Sequence, residues 1–347
     1  MSASVPPGSR THVTRWLYFV ATVTFCLIVF GGFVRLSRAG LSIVEWNPVA
    51  GVLPPIGQDA WKVEFAKYQQ SPEFRLVNFD MTMDGYRRIF YIEWAHRLIA
   101  RLAGLAVVLP LAVFLWRGTV SRAQSGPFIG IALLFGVQGL LGWLMVRSGL
   151  LDTPAVSHYR LTIHLLMALL LLAVALWMGM NRDASLGPAV VRVGSTAASR
   201  LALVLLGVVV LQIAYGGLVA GLKAGHVSST WPLMGGAWVP DGLFGSWRAV
   251  IGHAPTVHWI HRWLAFIVLG GTAWLLVAGR AAAVSAGARR AIHRVAGFVA
   301  VQVALGVAVI WLHVPAVLAL SHQAVGLATF TALIVVNHRL LRQDATA

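Results

Sequence analysis

Long apolar runs alternate with short polar intervals over almost the whole chain. Eight of the runs, at about 15–35, 91–116, 127–147, 159–180, 200–221, 257–279, 294–313 and 317–337, are long enough to cross a bilayer as helices. The pattern predicts an all-α integral membrane protein with eight transmembrane helices. Polar residues inside such runs are costly and need a reason. The second run opens IEWAHRLIARL, Ile92 to Leu102, and carries Glu93, His96, Arg97 and Arg101. The sixth repeats the theme as VHWIHRWLAFIVLG at 257–270.

Composition supports the membrane assignment. The chain has 347 residues, is 58% hydrophobic and only 11% charged, where a soluble domain carries roughly a quarter charged residues. A net charge of +16 first suggests nucleic acid, so its distribution decides the matter. An even number of spans puts both termini on one side. That side holds Arg10, Arg15, Arg117, Arg122, Arg182, Arg192, Arg200, Arg280, Arg289, Arg290, Arg294, Arg339 and Arg342 against two acids, Asp183 and Asp344. Basic and acidic residues are nearly balanced on the other side. The positive-inside rule then places both termini in the cytoplasm, and the basic excess is topological and not a nucleic-acid surface. The single cysteine, Cys26, excludes an intrachain disulfide and a cysteine metal cage. The first span follows a short basic tail without a small-residue cleavage site, so it reads as a retained helix. The lack of a long basic presequence favours a bacterial inner (plasma) membrane.

The two halves of the chain resemble each other. FGGFVRLSRAG (30–40) aligns with YGGLVAGLKAG (215–225), EWAHR (93–97) with HWIHR (258–262), VQGLLG (137–142) with VQVALG (301–306), and HLLMAL (164–169) with HQAVGL (322–327). Four blocks in the same order indicate an internal duplication. Each half holds an even number of spans and enters from the cytoplasm. The expected architecture is two parallel four-helix-bundle repeats related by a pseudo-two-fold axis along the membrane normal. The expected divisions are an N-terminal half at 1–180, a cytoplasmic linker at 181–199 and a C-terminal half at 200–347. The first outer loop, 36–90, is too long for a plain connector. Its DAWKVEFAKYQQSPEF reads as an amphipathic helix with Trp61, Val63, Phe65 and Tyr68, expected to pack on the membrane surface. The Gly/Trp/Pro-rich loop 222–256 reads as its counterpart cover.

Four of the 12 histidines lie well inside spans: His96, His164, His261 and His322. Each lies roughly five residues after the outer start of an even-numbered span, about 7–8 Å down at 1.5 Å per residue. They are expected at one level near the periplasmic face, two per half. Two imidazoles without a matching Cys, Asp or second carboxylate are too poor for a closed zinc site. They suit bis-imidazole ligation of heme iron, whose macrocycle supplies the other four nitrogens. Arg97 and Arg262 follow two of these histidines and either meet heme propionates or snorkel to the interface. His12, His226, His253, His293, His313 and His338 read as surface residues. The clearest asymmetry is Glu93, whose counterpart is His258. Glu93 shares a helix face with His96. It reads as a base, nucleophile or charge stabiliser, or as a plain i,i+4 partner of Arg97. The catalytic reading is preferred because the second half keeps Arg262 but drops the carboxylate.

These residues resemble the heme A synthase family. The resemblance rests on GGFVRLSRAGLSIVEWNPVAGVLPP (31–55), YRRIFYIEWAHRLIARLAG (86–104), QGLLGWLMVRSGL (138–150), VSHYRLTIHLLMAL (156–169), GGLVAGLKAGHVSSTWPLMGGAWVP (216–240), HRWLAF (261–266) and SHQAVGL (321–327). It implies oxidation of the methyl group of heme O to the formyl group of heme A, the cofactor of terminal oxidases. It also implies that His96 and His164 bind the substrate heme, that His261 and His322 hold a heme b cofactor, and that Glu93 is the functional carboxylate. Implied partners are a heme O synthase delivering substrate, an unidentified electron donor or acceptor, and membrane lipid; a homo-oligomer is allowed. Two departures stand out: the outer-loop cysteine pairs of many members are absent, and His158 stands where proline is expected in VS-x-YRL. Two hydroxylations would give a gem-diol that loses water to the aldehyde. With both histidines on iron, either one ligand leaves to admit dioxygen, or the porphyrin loses electrons and water attacks the activated methyl near Glu93. The alternatives are a diheme b-type cytochrome in quinone-linked electron transfer, and a repeat-built transporter, whose site should lie at the bilayer midplane.

Overall fold

The computed structural model describes residues 7–47, 50–151, 153–186, 189–191, 197–281 and 284–344. Part of the predicted linker, Arg192 included, lies outside the described residues. Eight long apolar helices fall where the hydrophobic runs predicted them. They are α1 (Pro7–Leu36), α4 (Met83–Trp116), α5 (Gly126–Gly149), α6 (His158–Arg182), α7 (Ala197–Gly221), α9 (Ala254–Ala281), α10 (Ala286–Trp311) and α11 (Ala316–Leu341). Three shorter helices, α2 (Gln58–Gln69), α3 (Pro72–Leu76) and α8 (Ala249–Gly252), lie in the two long loops. The only other regular pairing among the described residues is three residues long, β1 (Ala189–Val191) antiparallel to β2 (Arg342–Asp344).

The chain divides into two compact units, residues 22–171 and residues 1–21 with 172–347. In the second, α7, α9, α10 and α11 pack on one another. Where the start of α7 meets the end of α11, Asn337 Nδ2 donates to Ala202 O at 3.1 Å and Leu333 O at 2.9 Å. His338, expected at the surface, is instead 1% exposed, with Nε2 3.0 Å from Asn181 Oδ1 and its ring edge-on to Trp177. Its place near the helix end suggested water. The neighbouring Asn and Trp side chains provide a dry polar seat instead.

In the first unit the main departure from expectation is the length of α4. Thr82 caps it by accepting from Gly85 N–H, so the helix begins well before the apolar run. At 34 residues it is about 51 Å long, against a hydrocarbon core of roughly 30 Å. His96 therefore lies between three and four turns from its helix start, whereas His164, His261 and His322 lie about two turns from theirs. The protruding turns give α2 a protein surface to pack on. Trp61 and Tyr68 of α2 bury against Tyr86 and Phe90 of α4, with Tyr68 and Tyr86 stacked at 4.9 Å and Trp61 edge-on to Phe90 at 5.0 Å. Val63 points outward and is 57% exposed. The aromatic face of α2 thus completes a local core with α4. Trp61→Ala should destabilise this region by about 3–5 kcal/mol, read as faster proteolysis of the 50–80 segment in the folded protein.

Candidate functional site

Each of the four in-span histidines sits against a glycine. A Cβ placed on Gly31 of α1 would lie 3.3 Å from His96 Nε2, and one on Gly142 of α5 would lie 3.0 Å from His164 Cε1. In the other unit the corresponding distances are 3.4 Å from Gly216 of α7 to His261 Cε1, and 3.0 Å from Gly306 of α10 to His322 Cε1. Ordinary carbon–carbon contact is about 3.5–4.0 Å. The absent side chains are what let these imidazoles approach a neighbouring helix so closely. His261 and His322 face each other with ring centroids 6.4 Å apart. His96 also meets the edge of Phe30 at 5.5 Å.

Three glutamines accompany the histidines. Gln138 Nε2 lies 3.2 Å from the main-chain oxygen of His164 and 3.4 Å from its ring Nε2. Gln302 Nε2 lies 3.3 Å from His322 Nε2. Gln212 Nε2 donates to His261 O at 3.1 Å. Nδ1 of His164, His261 and His322 is buried without a hydrogen-bond partner, as is Oε1 of each glutamine. None of the glutamines was singled out in the sequence, although Gln138 and Gln302 stand in matched blocks.

Glu93 is 2% exposed and saturated. Its Oε1 accepts from Arg97 Nε at 3.0 Å and Nη2 at 2.6 Å, while Oε2 accepts from Ser42 Oγ at 2.7 Å and Ile43 N–H at 2.9 Å. Arg97 also donates to the main-chain oxygens of Ile43 and Glu45, and Arg101 to that of Asn47. The segment after α1 is thereby lashed across α4. In the other unit Arg262 holds the 228–233 loop in the same manner, donating to Ser228 O, Thr230 O and Leu233 O. Its Nε donates not to a carboxylate but to His258 Nε2, at 3.1 Å. Each arginine spends four of its N–H groups on the protein and has one left. Sequence reasoning offered propionates or the interface for these arginines; it missed the loop carbonyls, which no spacing rule points to.

Comparison with known proteins bears on what such a pair of sites is for. Residues 14–334 match the model of a family described as cytochrome oxidase assembly protein. A heme A synthase of Sphingopyxis alaskensis is 39% identical, covering 99% of this chain and 96% of that protein. Heme A synthases of Chelativorans sp. and Maricaulis maris are 42% and 40% identical, over 92% and 93% of this chain and 88% and 94% of theirs. The chain belongs to the heme A synthase family. Its eight apolar helices make it a multi-pass membrane protein.

A member of the heme A synthase family needs a place for heme, and the donor set here fits one. Among the described residues no three His, Cys, Asp or Glu side chains gather as a metal cage. What each unit offers is a pair of imidazoles, at least one of whose ring nitrogens is buried without a partner, each seated on a glycine. Gly306→Ala should push His322 off its seat, an overpacking cost of about 1–3 kcal/mol. The expected result is a lower heme-to-protein ratio in purified protein, with the N-terminal site less affected; an unchanged ratio would show that the glycine contact is incidental.

Proposed function

We propose that the chain oxidises the methyl group of heme O to the formyl group of heme A by two successive hydroxylations, the resulting gem-diol losing water. His96 and His164 ligate the substrate heme, and His261 and His322 ligate a resident heme b. The two halves arose by duplication and are related by a pseudo-two-fold axis along the membrane normal. Supporting this, two residues after the ends of α1 and α7 stands a basic residue in the left-handed conformation, Arg38 at φ 52° and Lys223 at φ 53°, each followed by Ala-Gly. The observation that carries the functional reading is a difference within the likeness. All four histidine–glycine contacts recur, yet the arginine of one half pairs with Glu93 and that of the other with His258.

Heme b, when bound, supplies one-electron transfer. The chain's own residues supply placement and charge. Arg97 and Ser42 fix both oxygens of Glu93. Ser42 Oγ also lies 3.4 Å from Ile89 O, so its hydroxyl can turn there and leave Oε2 open to accept a proton. The N-terminal half therefore carries the reactive carboxylate, and the C-terminal half only neutral imidazole beside its arginine. The remaining N–H of Arg97 and of Arg262 is available to a propionate. Both termini face the cytoplasm of a bacterial inner membrane, and the sites lie near the periplasmic face. A heme O synthase delivers the substrate, and a separate redox partner exchanges electrons.

The test is pigment extraction after expression in cells that supply heme O. Heme A or its hydroxylated precursor should accumulate with the intact chain. Heme B alone, with heme O supplied and no turnover, would favour a diheme electron-transfer cytochrome.

A further inference from the structure

The contact between Gln138 and His164 has a direction that can be worked out. The main-chain oxygen of His164 can only accept, so the amide nitrogen of Gln138 must face it, at 3.2 Å. That nitrogen can only donate, so the ring Nε2 at 3.4 Å is the acceptor and the ring proton sits on Nδ1. Nε2 is then the nitrogen with a lone pair for a metal, and Gln138 donates into that same lone pair. Gln302 makes the equivalent contact with His322 Nε2 at 3.3 Å. A lone pair engaged by an N–H cannot also bind iron.

We propose that Gln138 and Gln302 compete with heme iron for the histidines of α6 and α11, making each the exchangeable ligand of its pair. This rests on the ligation assigned above. Each glutamine Oε1 is buried without a partner. The Gln138 amide is tethered by its nitrogen to His164 O and turns aside when iron takes the imidazole. Gln302, matched to it in the repeat, is assigned the same behaviour from its contact with His322 Nε2. When the iron–imidazole bond opens, the amide recaptures Nε2, and no buried ring nitrogen is left newly unpaired. The other ligand of each pair has no such competitor: Phe30 meets His96 with a ring edge, and Gln212 reaches only the main-chain oxygen of His261. With both histidines of the first pair on the substrate iron, His164 would be the one to leave and His96 the one to stay. Gln138 is a positioning residue, acting on substrate only through His164.

The experiment uses full-length protein supplied with heme O, reduced and titrated with carbon monoxide while the Soret band is followed. Gln138→Met keeps side-chain length and removes the donor. Its N-terminal heme should bind carbon monoxide about fivefold more weakly, the equivalent of one hydrogen bond, while the C-terminal heme is unchanged. Gln302→Met should reverse that pattern. Unchanged or stronger carbon monoxide binding at the altered site overturns the proposal. So does loss of heme from Gln138→Met, because removing a competitor must not weaken retention. His164→Ala separates the two layers of the argument. A low-spin N-terminal spectrum surviving in that variant overturns the ligation itself. Its loss there, together with unaltered carbon monoxide affinity in Gln138→Met, overturns only the competition.

Discussion

Glu93→Gln should abolish heme O oxidation, by roughly a hundredfold or more on the scale of a lost acid–base group, while the heme b spectrum persists. The geometry shows why an isosteric amide fails here. Glu93 accepts four hydrogen bonds, and three of the partners can only donate: Arg97 Nε and Nη2 on one oxygen, and Ile43 N–H beside Ser42 Oγ on the other. A glutamine must turn its NH2 toward one side. Facing Arg97 it sets donor against donor beside a guanidinium that has lost its counter-charge; facing Ile43 N–H it does the same against the backbone. Removing one partner of a buried ion pair costs about 3–5 kcal/mol, and here the cost falls on the segment lashed over α4. The signature is therefore double: product formation disappears, and proteolysis of the 42–47 segment accelerates. Ser42→Ala separates the two effects, since it keeps the charge pair and removes one neutral donor, worth about 1 kcal/mol. Full activity in Glu93→Gln would remove Glu93 from the chemistry and leave it as a loop clamp.

The hydrophobic pattern was sufficient to locate all eight long helices because bilayer-length apolar runs have few other uses. It could not place the start of α4. Asp84, Arg87 and Arg88 read as loop, yet they occupy helical turns that project beyond the apolar run. The same blind spot hid the role of α2, whose aromatic face needed a protein partner that those extra turns largely supply. His96, His164, His261 and His322 stood out because an ionisable residue in an apolar run is rare. Gln138 and Gln302 did not, since a neutral polar residue there raises no such alarm, and Ser42 lies in the loop after α1, where a serine is unremarked. Burial of His338 was missed for the opposite reason: near a helix end, water is the expected partner, and only tertiary packing brings Asn181 to it. Glu93 was legible as an asymmetry between halves, but its saturation by four donors depends on a segment some 50 residues away in sequence.

His261→Ala should strip heme b from the C-terminal unit, roughly halving the heme-to-protein ratio, and should stop turnover although the N-terminal ligands are untouched. The backbone gives little reason for wider damage. Gln212 holds the main-chain oxygen of His261 and not its ring, so that hydrogen bond survives the substitution. Arg262 keeps its three loop carbonyls and His258. What is lost is one of two imidazoles whose centroids lie 6.4 Å apart, and His322 alone leaves iron with a single protein ligand. His261→Met distinguishes loss of a ligand from loss of a fold. A thioether can still ligate, and exchanging imidazole for it raises the reduction potential. Heme b should then be partly retained, at a higher midpoint potential, with slower turnover wherever this heme must give up or accept an electron. Undiminished heme b in His261→Ala would reverse the assignment of the halves and place the resident cofactor with His96 and His164.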